Sequence, residues 1–301
     1  MRDDIYLFFR FPRESWTEVQ SLFRRTGQDK LADVPPRISH ATQRYMLRFH
    51  RESDYQHFLA EARARGFAEQ YSLRRERAYT DRELAGFPFL RLAVVRAPKG
   101  FGGPWYGTQY DLSQACSQCG SGARQTSPLV LKRGEIQIPK NRRVFQTLDW
   151  EVLVTPEFAR VFQEAGVTGV ELRQAIASTD RQPLSWFQLL PQLTMPPMAP
   201  CSEGIIRGKP EPCPQCDRDG YFGTTQEPEL IRYLARDASP AGLPDVTQTW
   251  EYFGKSGLRE PLEKSHFAHP YILVKLKVFA LFRQHKVHEV GFRPVEIVET
   301  C

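Results

Sequence analysis

The sequence predicts an α/β (α+β) protein in two parts, a small N-terminal α/β module over residues 1–86 and a larger region over residues 87–301. Three observations carry this expectation. A strand-then-helix pattern occurs twice in the first part. A strand–helix–strand pattern occurs twice in the second, at an offset of 120 residues. Each copy of the second pattern has one Cys-x-x-Cys pair upstream of it.

In the N-terminal module, Arg10-Phe11-Pro12-Arg13-Glu14-Ser15 recurs as Arg48-Phe49-His50-Arg51-Glu52-Ser53. Each copy follows a β-like run, Ile5–Phe9 and Tyr45–Leu47. Each precedes a helical stripe: Trp16, Val19, Leu22 and Phe23, then Tyr55, Phe58, Leu59 and Ala62. Spacings of three and four put such residues on one helix face. Gly27 and Gly66 stand where these helices should stop. A third strand is expected at Glu69–Arg75. The repeated Arg-Glu-Ser reads as a helix start, with its acid at the positive end of the dipole, rather than as a duplicated ligand site. Phe89–Val95 then reads as a strand, and Pro98–Pro104, rich in Gly and Pro, as an exposed loop or linker.

The second region carries the stronger repeat. Residues 153–173 align without a gap to residues 273–293, with 6 of 21 positions identical. Each copy reads as strand end, helix and strand, so the region is expected to contain two related halves. Between the copies, Pro191–Pro200 reads as a surface crossing, Glu227–Arg236 as a helix and Pro240–Pro244 as a turn.

Cys116-Ser117-Gln118-Cys119-Gly120 and Cys213-Pro214-Gln215-Cys216-Asp217 bear the chemistry. Two intervening residues let both sulfurs of a tight turn face one ion, and two such turns complete a tetrahedral four-cysteine site. Cys116, Cys119, Cys213 and Cys216 are therefore expected to hold one structural zinc ion. A redox pair would need only one motif and a thioredoxin-like context, which is absent. No export signal is expected in the first residues, since Asp3, Asp4 and Arg10 flank or interrupt the first apolar run. A cytoplasmic, reducing location is expected, with thiols or metal ligands rather than disulfides. Cys201 then reads as a small apolar filler and Cys301 as an exposed terminal thiol.

Other classes of function find little support. No run approaches the roughly 18 apolar residues of a membrane helix. No nucleophile–base pair, phosphate loop or paired-carboxylate signature stands out, so no catalytic or cofactor-binding residue is assigned. The pairs His266/His269 and His285/His288 are not read as metal sites. The net charge of +6 resides in residues 1–100, with 19 Lys/Arg against 13 Asp/Glu. That excess is modest and interleaved with acids, which fits a solvated basic surface better than a nucleic-acid site. A nucleic-acid-binding protein, using the basic module and the zinc knuckles, is the alternative expectation. Trp105-Tyr106 and Trp250-Glu251-Tyr252-Phe253 are candidate partner anchors but read first as core.

The two far-separated knuckles, the run Pro212–Phe222 and the closing Val287–Val295 resemble the double-CxxCG-motif family. The resemblance covers residues 87–301, and Asp217 departs from it where the motif has Gly. Some members are bacterial immunity proteins that neutralise a cognate toxin. The resemblance thus implies a non-enzymatic protein that binds and blocks a partner protein.

Overall fold

The computed structural model describes residues 2–33, 42–67, 71–95, 101–132, 142–208, 213–223 and 228–301. Contacts divide the chain into two compact units, one of Met1–Thr80 with Thr224–Glu229, the other of Asp81–Gly223 with Leu230–Cys301. The fold is mixed α+β, with sheet predominating among the described residues.

The first unit is an antiparallel sheet in the order β2-β1-β3, formed by β1 (Arg2–Pro12), β2 (Thr42–Phe49) and β3 (Tyr71–Ala78). Period-two alternation sends Ile5, Leu7, Phe9 and Phe11 into the core. There they meet Val19, Leu22 and Phe23 of α1 (Trp16–Arg25) and Phe58 and Leu59 of α3 (Glu52–Ala64). The short α2 (Asp29–Ala32) lies between α1 and β2. Phe9 is ringed by Phe23, Phe58 and Phe67 at centroid distances of 5.6–6.2 Å, each near edge-to-face. Truncating so enclosed a ring costs about 3–5 kcal/mol. Gly27 and Gly66 end the two long helices at φ of 73° and 76°, as their positions predict. The face of the sheet away from the helices carries Tyr6, Phe8 and Arg10 of β1 beside Met46 and Arg48 of β2.

The second unit opens with α4 (Asp81–Leu84), tied by Asp81 to Arg283 at 2.9 Å. It holds two large sheets whose five common strands correspond one to one. The first runs β7-β10-β11-β9-β8, built from β7 (Val130–Leu131), β8 (Val144–Gln146), β9 (Val152–Val154), β10 (Val170–Ala177) and β11 (Pro183–Pro191). The second, read in the same sense, runs β14-β17-β4-β16-β15 and continues to β13 and β12. Its strands are β4 (Phe89–Val94), β12 (Ile205–Arg207), β13 (Tyr221–Gly223), β14 (Ile231–Leu234), β15 (Val246–Phe253), β16 (His269–Val274) and β17 (Val290–Val298). The pairing senses match as well: β7 with β10 and β14 with β17 are parallel, and the other common pairs are antiparallel.

The two halves therefore repeat as β4 to β10 and β11 to β17, and each lends its first strand to the other. β11 of the second repeat lies between β9 and β10 of the first, and β4 of the first lies between β16 and β17 of the second. Matching hydrogen bonds anchor both exchanged strands: Val95 N donates to Glu289 O at 2.8 Å, and Gln192 N to Gly169 O at 2.9 Å. The helices of the expected strand–helix–strand units, α5 (Pro156–Glu164) and α6 (Leu276–Gln284), pack through Phe158, Phe162 and Phe282. Thr155 caps α5, its Oγ1 accepting from Phe158 N at 3.3 Å.

Four sequence expectations are corrected. The stretch read as a helix over Glu227–Arg236 contains strand β14, because Ile231 and Tyr233 alternate into the core and pair in parallel register with Val295 and Ile297. Pro191–Pro200 is not merely a surface crossing, since Met195 and Ala199 are buried and Met195 N bonds Gln248 O. Within the expected linker, Gly102, Gly103 and Pro104 are buried, while residues 98–100 lie outside the described residues. Finally, Cys201 and Cys301 form a disulfide, with Cα atoms 5.4 Å apart. The parallel β14–β17 pairing carries the chain end beside Cys201, and Arg232 holds Cys201 O, Glu203 and Glu296 together there. Among the described residues no helix is long and apolar enough to cross a membrane.

Candidate metal centre

Each repeat contributes one Cys-x-x-Cys turn. Cys116 and Cys119 lie between β5 (Tyr110–Asp111) and β6 (Arg124–Gln125), and Cys213 and Cys216 between β12 and β13. Backbone bonds shape both turns alike: Gly120 N donates to Cys116 O at 2.8 Å and Asp217 N to Cys213 O at 2.9 Å. The residue after each second cysteine is left-handed, Gly120 at φ 82° and Asp217 at φ 57°. Asp is among the few L-residues that visit this region readily, so the departure from the Gly motif leaves the second turn intact.

The four sulfurs converge. Cys116 Sγ lies 3.7 Å from Cys213 Sγ, and Cys119 Sγ 3.5 Å from Cys216 Sγ. All four lie within 4.8 Å of one another. Zinc–thiolate bonds of about 2.3 Å imply tetrahedral sulfur separations of about 3.8 Å, so the cluster could hold a metal ion with little movement. A sulfur-only donor set suits zinc or iron–sulfur chemistry and disfavours hard cations.

The surroundings support such a centre. Gln215 Oε1 stands 3.5 Å from Cys116 Sγ, and Gln118 Oε1 3.5 Å from Cys213 Sγ, a reciprocal arrangement across the repeats. Turned end for end, either amide would offer N–H to a thiolate instead. Ser121 N donates to Cys119 Sγ at 3.4 Å. Fully buried Asp219 accepts from Cys213 N at 2.8 Å and from Ser256 N at 3.1 Å, bracing the second turn. Tyr252 Oη accepts from Gly122 N at 3.0 Å and so braces the first.

Four thiols this close cannot ionise independently. Burial raises the Cys119 and Cys216 thiols, and the neighbouring sulfurs push Cys216 further. Burial also opposes ionisation of Cys116, but hydrogen bonds from the amides of Cys119 and Gln118 and from the Cys213 and Cys119 side chains together outweigh it and bring this thiol to about 7. A divalent cation would resolve the conflict by replacing the protons.

The structure thus gathers all four sequence-assigned cysteines, and it keeps Cys201 apart from them in its disulfide. His266 and His269 do not join the cluster, and neither do His285 and His288. Of the candidate anchors, Tyr252 and Phe253 are core, whereas Trp105 is 60% exposed. No protein-family model matches the sequence, and no curated protein is significantly similar to it.

Proposed function

We propose that the four cysteines hold one structural zinc ion, and that the protein acts by binding and neutralising a partner protein, a bacterial toxin being the expected class. The convergence of four sulfurs within 4.8 Å of each other carries the metal half of this reading. Four thiolates fill a tetrahedron and leave no open vertex for substrate, so the ion's role is to staple the repeats. The partner half rests on the double-CxxCG resemblance and on the aromatic side chains exposed on the second unit. Trp105 is 60% exposed, Phe101 39% and Trp150 38%. Large aromatics in such positions are the usual anchors of protein interfaces.

The test has two steps. Elemental analysis of the purified protein should find one zinc per chain, and Cys116→Ser or Cys213→Ser should remove it. Co-expression with toxins encoded beside the gene should then rescue growth in step with a one-to-one complex. Full zinc content without any partner would retain the metal and discard the immunity role.

A nucleic-acid-binding reading is favoured by one observation. The open face of the first unit's sheet sets Tyr6 and Phe8 beside Arg10, Arg48 and Arg74, an aromatic and basic surface of the kind that stacks single-stranded bases. Arg48 and Arg74 are partly neutralised by Asp4 and Glu76. Submicromolar RNA binding at physiological salt, lost in Phe8→Ala, would establish it over the partner-protein reading.

A further inference from the structure

A cavity of about 220 Å³ opens where the repeats meet, beside the metal centre. Its walls are aromatic: Trp105, Tyr110, Trp150, Phe253 and Phe267 all line it. Its ionisable lining groups are the carboxylates Glu151 and Asp149, Tyr110 and His269, together with the exposed Lys255 and His266.

The Glu151 side chain is only 13% exposed and is held by a relay of amides. Gln188 Nε2 donates to its Oε2 at 2.5 Å. Gln188 in turn exchanges hydrogen bonds with Gln125 at 2.8 and 2.9 Å, and Gln125 Nε2 donates to Ser127 O at 2.8 Å. Gln188 is fully buried, so the relay fixes one carboxylate oxygen and leaves the other to the cavity. Asp149 is positioned from the opposite wall, its Oδ2 accepting from Gly102 N at 2.9 Å. Two backbone features shape the opening. Gly102 is packed so tightly that a Cβ there would lie 2.7 Å from Leu131 Cδ2, and Trp150, between the two acids, has φ of 70°. A bulky residue at positive φ is strained, and such strain persists only where the surroundings enforce it.

Neither acid has a cationic partner of its own. Among the described residues no Lys or Arg forms an ion pair with Asp149 or Glu151, and the one basic group near Glu151 is His269 Nδ1 at 3.8 Å. Burial holds His269 down at about 4, so its ring is neutral at physiological pH and supplies no charge. Two partly desolvated carboxylates inside aromatic walls therefore have no Lys or Arg ion-pair partner among the described residues, and Trp and Tyr faces attract cations further.

From this geometry we infer that the cavity binds an organic cation, an alkylammonium or guanidinium group, with its charge on Glu151 and Asp149 and its apolar part against Trp105 and Trp150. A guanidinium could use both carboxylates at once. The cation can come from a free small molecule or from a Lys or Arg side chain of another protein. This inference is independent of the proposed immunity role.

The test titrates the intact protein with arginine amide, lysine amide and the neutral isostere citrulline amide, reading tryptophan fluorescence, since Trp105 and Trp150 flank the site. Saturable binding of a cationic amide, with citrulline amide weaker, is expected. Glu151→Gln should weaken the cation by about thirtyfold or more, and Trp105→Ala by about threefold to thirtyfold. Unchanged zinc content and melting behaviour in Trp105→Ala separate loss of the site from loss of the fold. A pentapeptide carrying one central Arg distinguishes the source. Binding more than about tenfold tighter than the amide points to a protein side chain, and equal binding points to a free amine. The inference is overturned if no cation saturates the signal by about 20 mM, if citrulline amide binds as well as arginine amide, or if Glu151→Gln leaves affinity unchanged.

Discussion

Glu151→Gln should stabilise the protein, and the gain should grow with pH. Burial raises the Glu151 carboxyl to about 7, with the Asp149 charge adding to the effect and the Gln188 bond opposing it. An unfolded chain would titrate this group near its ordinary value of 4.5. The folded state therefore holds the proton more tightly, and ionising Glu151 costs stability as pH rises from about 4.5 to 7; above that range the penalty is constant. A difference of about 2.5 units corresponds to at most about 3 kcal/mol at pH 8.5 and about 1 kcal/mol at pH 5. Glutamine keeps the acceptor for Gln188 and removes the charge. For a unit of about 215 residues, 3 kcal/mol raises the melting temperature by about 6–12 °C. Differential scanning calorimetry of both proteins from pH 5 to 8.5 measures the gap directly, because contributions common to both cancel. A gap that does not widen with pH, or a variant less stable at pH 8.5, would refute the placement of an unpaired carboxylate in this cavity.

Other outcomes follow from the same structure. Arginine amide affinity should fall about tenfold from pH 8 to pH 6 as Glu151 protonates. Of the groups near Glu151, His269 stays neutral and Tyr110 is held well above its ordinary value by burial, so neither contributes, whereas Asp149, also raised by burial, acts in the same sense. A His266→Gln variant controls for the imidazole in the cavity lining. Cys301→Ser should destabilise the second unit by about 2–4 kcal/mol through the loss of a 100-residue closure, seen as a lower denaturation midpoint with zinc content unchanged. Gly120→Ala should cost more than about 1 kcal/mol, since Gly120 has φ of 82° and a Cβ would lie 2.5 Å from Phe267 Cε1. The check is chemical denaturation at fixed zinc.

What the sequence revealed was local. The stripes at Trp16–Phe23 and Tyr55–Ala62 declare their helices because one face of each is wholly buried. The cysteine pairs point to a candidate metal centre because each turn is self-contained within four residues. The 120-residue offset exposes the repeat because both copies keep one strand–helix–strand core. What stayed hidden depends on distant partners. Ile231 and Tyr233 form a strand only because β17 is beside them, against the helical tendency of their neighbours. The Cys201–Cys301 bond is made by that same pairing, and no spacing announces it. The cavity draws its groups from near residues 102–110, 148–151, 253–255 and 266–269, four segments that pattern reading treats separately. Trp105 showed as a possible anchor, but nothing in Trp150-Glu151 marks an acid set between cavity walls.

The reciprocal strand exchange explains why the cysteine cluster and the cavity belong to one cooperative structure. A sheet that lost its central strand would expose unpaired backbone on both sides, so neither repeat can keep its five-strand order without the other. The first cysteine turn lies between β5 and β6, outside the two large sheets, and the second links β12 to β13 at the edge of the larger sheet, so the exchange itself does not join one turn to the other. An ion bound by two sulfurs from each repeat would join them. The brace then reaches the cavity through named contacts. Gly120, next to Cys119, packs on Phe267 of the cavity wall. Asp219, three residues after Cys216, holds Ser256 N, and Ser256 Oγ accepts from Ala268 N at 2.9 Å, beside His269. Metal loss should therefore loosen the Phe267–His269 wall while leaving Glu151 held by Gln188. Chelation of the folded protein would then weaken cation binding mainly through the aromatic wall, with the effect of Glu151→Gln persisting in the metal-free protein. Equal affinity with and without metal would mean that the staple and the cavity are mechanically separate.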